Sequence, residues 1–289
     1  MPRSLDEGFR EFLSLLTPSG TESSAAKSHR ATIEQCLRAN FGLQRFFRIG
    51  SFGNGTSISG FSDVDYLACL PRDVLTQNSS STLAKLRNVL DTRFPFTGVR
   101  VRTPAVVLPF GNNISEQTEV VAADLVEATG FPVYEIADGA GGWMKTSPDA
   151  HKAYVRDVNE KLYGSAKGLI RLVKAWKCYC NVPISSFYLE LRVAKYASTE
   201  KAIVYYIDLE AVLTQLLNAG LARMQDPMGV SGYIAACPSD ATYAEAMSKL
   251  ATAVTRAQKA AEAIHANKLS DAFDWLKLLF GGAFPAYYY

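Results

Sequence analysis

The chain has 289 residues, 48% hydrophobic and 20% charged, a balance that excludes long disorder, collagen and coiled coil. Thirty Lys and Arg against 28 Asp and Glu leave a net charge of +2, so overall charge does not hold this protein on duplex DNA. No apolar run approaches the roughly 18 residues of a membrane-spanning helix. Met1 to Glu7 lacks the apolar core of a signal peptide. Five cysteines, odd in number and without a C-x-x-C pair, fit a thiol-reduced cytoplasm.

Leu5, Phe9, Phe12, Leu13 and Leu16 recur at helical spacing and predict an amphipathic helix, stopped by Thr17-Pro18-Ser19-Gly20. A second helix is expected from about Ser24 to Asn40, with Ile33, Cys36 and Leu37 inward. Phe46 to Ile49 reads as a short strand running into Gly50-Ser51-Phe52-Gly53-Asn54-Gly55-Thr56, a glycine-rich loop. Val64 to Leu70 is a strand closed by Pro71, and Leu83, Leu86, Val89 and Leu90 mark a helix. Val99 to Arg102, Ala105 to Leu108 and Glu119 to Glu127 are further strands, so the first half predicts an α/β or α+β sheet domain. Asp138 to Gly142, with three glycines, is the expected hinge.

Beyond that hinge the pattern turns helical. Leu169, Leu172, Val173 and Trp176 share one face, and Leu189 to Ala197 and Ile207 to Leu217 continue helically. Thr242 and Glu245 form a capping box before an Ala-rich helix running to about Asn267. A short apolar helix at 271–280 and an aromatic tail from Phe284 to Tyr289 close the chain. The expected division is residues 1–142, a sheet domain with N-terminal helices, and residues 143–289, a helical domain.

Charge is distributed unevenly along this chain. Residues 151–201 hold ten Lys and Arg against four Asp and Glu, or +6, leaving −4 for the rest. A basic segment inside a balanced chain suggests a confined anion site such as a polyphosphate pocket.

Asp63 and Asp65 stand two apart on a predicted strand, so both side chains leave the same face. Carboxylates held that close repel unless a cation lies between them, and Mg²⁺ takes hard oxygen ligands of this kind. Gly50-Ser51, twelve residues before Asp63, lies where glycine lets backbone approach phosphate and serine donates to its oxygens. Asp124 interrupts the apolar run Val120 to Val126, where burial without a partner is costly. If its strand neighbours that of Asp63 and Asp65, three carboxylates converge, enough for two Mg²⁺ ions, or Mn²⁺ in their place.

In type, order and spacing these residues resemble the nucleotidyltransferase superfamily with a polymerase β-type palm. Gly-Ser-Phe-x-x-x-Thr from Gly50, followed by Ser62-Asp63-Val64-Asp65-Tyr66, is similar to bacterial cGAS/DncV-like nucleotidyltransferases (CD-NTases). Leu169 to Lys177 and Ile184 to Glu190 resemble two helical signatures of that family and of oligoadenylate synthases. The resemblance, from about residue 45 to residue 200, implies an α+β fold: a palm with mixed sheet and flanking helices, then an oligoadenylate-synthase-like helical domain. It implies metal-binding catalytic acids at Asp63, Asp65 and Asp124, triphosphate contacts at Gly50, Ser51, Lys174 and Ser186, and base stacking by Phe187.

Lys167, Arg171 and Lys174, at i, i+4 and i+7, make a cationic stripe suited to a transferring phosphoryl group, and Lys174, like Ser51, is expected at a solvent-open cleft. Asn159, just before the basic helix and near where the resembled family places a base-reading residue, has an amide able to read a pyrimidine edge as well as a purine, so UTP is an expected substrate with ATP as its partner. The expected activity is joining ribonucleoside triphosphates into a cyclic di- or trinucleotide messenger of anti-phage defence, read by a downstream effector. The alternatives are transfer to a small molecule or RNA, and a catalytically inactive scaffold. Neither a membrane nor a specific DNA sequence is an expected partner.

Overall fold

The computed structural model describes residues 2–18, 24–111 and 116–288. Ser19 and Gly20, part of the expected first stop, lie outside the described residues. In chain order the first half carries α1 (Leu5–Leu16), α2 (Ser24–Phe41), β1 (Arg45–Arg48), α3 (Gly50–Asn54), β2 (Val64–Cys69) and α4 (Ser79–Arg93). Then come β3 (Arg100–Arg102), β4 (Ala105–Phe110), β5 (Glu116–Glu127), β6 (Val133–Ala137) and β7 (Trp143–Thr146). The remainder is α5 (Pro148–Lys161), α6 (Ser165–Tyr179), α7 (Ser186–Thr199), α8 (Tyr205–Asn218), a small pair β8 (Met224–Gln225) and β9 (Tyr233–Ile234), α9 (Asp240–His265) and α10 (Leu269–Leu279).

The chain divides into two compact units. The sheet unit comprises Ser19–Gly55 and Ser62–Ala153; the helical unit comprises Met1–Pro18, Thr56–Phe61 and Tyr154–Tyr289. This differs from the expected break at 142/143. Asp138 to Gly142 is a hairpin turn joining β6 to β7: Asp138 Oδ1 accepts from the backbone N–H of Ala140 and Gly142 at 2.7 and 2.9 Å. Neither β6 nor β7 was legible as a strand, and the division falls inside α5 instead.

In the sheet unit the strand order is β1-β2-β5-β4-β3, with β6 on the second half of β5 and β7 beside β6. β2 and β5 run parallel; the other pairs are antiparallel. Val120 to Ala123 of β5 form a continuous buried apolar run, as a central strand covered on both faces requires. One face packs Tyr66, Ala68, Val120 and Ala122 against Leu37 of α2 and Leu86 and Leu90 of α4. The other carries Leu67, Cys69, Ala123 and Tyr134.

In the helical unit α6 is buried almost all round, and Gly168 in its interior has a physical reason. A Cβ there would overlap the hydroxyl of Tyr205, so the absent side chain admits the tyrosine. Phe9 and Phe12 of α1 meet Phe284 at 5.2 and 5.3 Å between ring centroids, which ties both chain ends into one core. That packing puts α1 in the helical unit and not with the sheet. α9 is capped by Ser239 with Thr242 in a reciprocal box, three residues before the expected Thr242–Glu245 pair.

Candidate active site

The acidic face is built by strand register. β2 and β5 pair in parallel with Asp65 opposite Glu119, so those side chains share one face, and Asp63 precedes the first residue of β2. Arg102, on edge strand β3, donates from Nη2 to Asp63 Oδ2 at 2.9 Å and is also ion-paired with Glu119. Gln117 Nε2 donates to the same Glu119 oxygen at 3.2 Å. Asp63 and Glu119 thus share one cation, with Asp65 in register beside Glu119.

Asp124 is not brought to this cluster. It stands five residues beyond Glu119 on β5, about 16 Å farther along the strand, and an odd offset turns it to the opposite face. Asp124 is 8% exposed and accepts from Arg72 Nη1 at 3.3 Å, with Glu135 of β6 3.7 Å from that nitrogen. The carboxylate that interrupts the apolar run therefore has its partner, and its burial is explained by an ion pair.

Gly50 and Ser51 begin a five-residue helix where a loop was expected. The backbone N–H of Ile49 donates to Asp65 O at 2.9 Å, which fastens the entry of α3 to β2. Gly50 has φ +59°, and a Cβ on it would overlap Asp65 Oδ2. Only glycine both adopts this backbone readily and leaves the Asp65 carboxylate its place.

The donor set fits a hard divalent cation. Asp63, Asp65 and Glu119 offer oxygen ligands alone, and a guanidinium already lies between two of them as a positive stand-in. Among the described residues no ready-made group of three or more His, Cys, Asp or Glu has metal-holding geometry.

The helical unit corrects the expected cationic stripe. Lys174 is turned inward: Lys174 Nζ lies 3.3 Å from Glu190 Oε2, with both side chains only 4% exposed. It also donates to Thr56 O at 3.0 Å, and Thr56 Oγ1 donates to the same Glu190 oxygen. This is a buried structural pair, not the solvent-open position expected of Lys174. Arg171 is half-buried and donates from Nε to Ser57 O at 3.3 Å, and burial lowers its pKa. Lys177, one turn beyond Lys174, donates to Ser186 Oγ at 2.9 Å.

Ser186 and Phe187 form the first turn of α7, capped by Ser185, and Phe187 is 36% exposed. Asn159 Oδ1 accepts from the backbone N–H of Lys167 at 2.9 Å, so its acceptor serves the junction of α5 and α6. Sequence reasoning missed Glu119, Arg102, Glu190 and Lys177. The sequence alone carried no signal for any of them: Glu119 lies towards the start of its strand, but only the parallel pairing with β2 brings it to Asp65.

With this geometry in view, comparison with known proteins is decisive for the family. The model of the Second Messenger Oligonucleotide or Dinucleotide Synthetase (SMODS) domain matches residues 4–159, more than half of the chain. The chain belongs to the SMODS family. A probable cyclic nucleotide synthase of Bacillus cereus strain VD146 is 28% identical over 157 residues, 50% of this SMODS chain and 47% of the relative. The matched region thus spans about half the length of that curated relative.

Two solved structures share the fold. E. coli MS115-1 CdnC with ATP superposes with TM-score 0.75 at 16% identity, covering 97% of this chain and 98% of that one. Vibrio cholerae DncV cyclic AMP-GMP synthase, in complex with a linear intermediate, gives TM-score 0.66 at 13% identity, covering 96% and 85%. The SMODS chain therefore has the CD-NTase fold, a polymerase β-like mixed sheet with flanking helices and a helical C-terminal part.

Proposed function

We propose that this SMODS chain is a nucleotidyltransferase that joins ribonucleoside triphosphates into a cyclic oligonucleotide and releases pyrophosphate. The observation that carries the reading is the alignment of Asp63, Asp65 and Glu119 on one sheet face, with the Asp65 carboxylate against Gly50 of the Gly-Ser turn. A ribose hydroxyl attacks an α-phosphate in line, and a second attack closes the ring. Backbone N–H groups at Gly50 and the Ser51 hydroxyl receive phosphate oxygens. Asp63, Asp65 and Glu119 would hold Mg²⁺ or Mn²⁺, which supplies charge neutralisation and a lowered hydroxyl pKa when bound.

In the helical unit we assign triphosphate contact to Arg171, Lys177 and Ser186 and base stacking to Phe187, an aromatic platform of the kind that takes any base. Lys174 acts through Glu190 and Thr56 as a positioning residue. The substrates are NTPs, ATP first, and the CdnC structure with ATP and the DncV structure with a linear pppA(3′,5′)pG intermediate support that class. The product serves a downstream effector in anti-phage defence, in a cytoplasm where the NTP pool lies and where the five free cysteines are at home.

Mass spectrometry of products from all four NTPs with Mg²⁺ tests this, against an Asp63→Ala/Asp65→Ala control. A cyclic di- or trinucleotide absent from the control is the expected result. A nucleotide found only on an added small molecule or RNA, or no pyrophosphate from any mixture, overturns it.

A further inference from the structure

Arg102 has no place in the reading above, yet it touches two of the three carboxylates. It lies on β3, the edge strand of the sheet, with its side chain 55% exposed. In register, Arg102 pairs with Ala105, and Ala105 with Val121. Pairing partners share a face, so Arg102 lies on the Glu119 face with a small residue beside it, and its long stem crosses β4 there. Its Nη2 donates to Asp63 Oδ2 at 2.9 Å and pairs with Glu119, whose side chain is only 12% exposed.

We propose that Arg102 is a positioning residue that occupies the cation place between Asp63 and Glu119, and that an incoming divalent metal must displace it. Two carboxylates held this near would otherwise repel; one guanidinium cancels half of their charge and keeps both aimed inward. A divalent ion cancels all of it and approaches oxygen at about 2.0–2.1 Å, well inside an N–H···O contact. Displacement is easy, because an exposed guanidinium regains its hydration on leaving. Arg102 therefore keeps the acidic face ordered without metal and raises the metal concentration needed to fill it. This rests on the metal reading of Asp63, Asp65 and Glu119.

The test is a Mn²⁺ titration of the nucleotide-free chain, read by the loss of the free-ion electron paramagnetic resonance signal. Wild type, Arg102→Met and Asp65→Asn are compared, with thermal melts of each in chelator and in Mn²⁺. The expected result for Arg102→Met is a Kd for Mn²⁺ at least about threefold tighter than wild type. Its melt in chelator should be lower, and its gain on adding Mn²⁺ larger than that of wild type. Mn²⁺ binding equal to or weaker than wild type overturns the proposal, even if activity is lost. If wild type, Arg102→Met and Asp65→Asn all fail to bind Mn²⁺ saturably, the metal reading itself fails and this proposal falls with it.

Discussion

Two charge clusters, one in each unit, answer the same question in opposite ways. On the sheet, Asp63 and Glu119 share Arg102 with the guanidinium side chain 55% exposed, so the cluster is held by contacts that water already weakens. Among the helices, Lys174 and Glu190 are 4% exposed each and closed over Thr56. The first arrangement can exchange its cation for another. The second cannot, because separating the pair strands a charge away from water. Charge type and periodic spacing, two residues on the strand and three or four on the helix, singled out Asp63 and Lys174 alike; burial decides which is chemistry and which is architecture.

The sharpest way to break the contrast is to remove one partner from each cluster. Lys174→Met should cost about 3–5 kcal/mol of folding stability by leaving Glu190 buried and uncompensated. Lys174→Met/Glu190→Leu should recover most of that loss, since an apolar pair of similar volume needs no counter-charge. Denaturant melts of the wild type, single and double variants check both. A single variant that melts with the wild type would return Lys174 to the open stripe.

On the sheet the expected loss is of activity. Glu119→Gln, like Asp65→Asn, should slow pyrophosphate release at least about 100-fold, about 2.7 kcal/mol of barrier. Asp124→Asn should stay within about threefold, because it breaks only a pair with a guanidinium 59% exposed. If Asp124→Asn fell as far as Asp65→Asn while Glu119→Gln stayed active, the acid assignment would move back to Asp124.

Much of the fold was legible because apolar periodicity reports elements directly. Leu5 to Leu16 read as a helix and Val64 to Leu70 as a strand, within a residue of their observed ends. The Asp63-x-Asp65 pair was legible too, since a period of two fixes its face whatever the neighbours do. What the sequence hid was register. Nothing local to β5 says whether Glu119 or Asp124 stands opposite Asp65; six hydrogen-bonded rows between β2 and β5 decide it. Lys174 misled for the same reason, because Glu190, which turns it inward, lies sixteen residues away on another helix. Asp138 to Gly142 misled by composition: glycines that free a hinge also close a tight hairpin.

A smaller effect sharpens the link between the Gly-Ser turn and the acidic face. Gly50→Ala introduces a side chain at φ +59° and drives its Cβ into the Asp65 carboxylate. The left-handed backbone alone costs about 1–2 kcal/mol, and the displaced carboxylate adds a loss in turnover. Activity should fall about tenfold more than in Gly53→Ala, whose Cβ meets Arg48 O at 3.0 Å and leaves Asp65 untouched. Equal losses in the two variants would show that α3 matters as a helix and that Gly50 has no particular debt to Asp65.

The smallest expected effect concerns Asn159, where a base-reading amide and a junction-bracing amide make different demands. A base reader needs its acceptor and donor turned to the ligand together. Here Oδ1 is committed to the Lys167 N–H at 2.9 Å, and the Asn159 carbonyl accepts from Gly164 N–H at 2.8 Å. Both bonds close the turn that lets α6 begin after α5. Loss of the side-chain bond exposes one backbone donor, so Asn159→Ala should cost about 1 kcal/mol. Asn159→Ser, whose hydroxyl is shorter by one bond, should recover little of it. The nucleotide composition of the product should be the same for wild type and both variants, because neither change touches Phe187 or the carboxylates. Calorimetry and product mass spectrometry on one preparation check the pair of outcomes. A shift from pyrimidine to purine in the Asn159→Ser product at unchanged stability would make the amide a base reader after all.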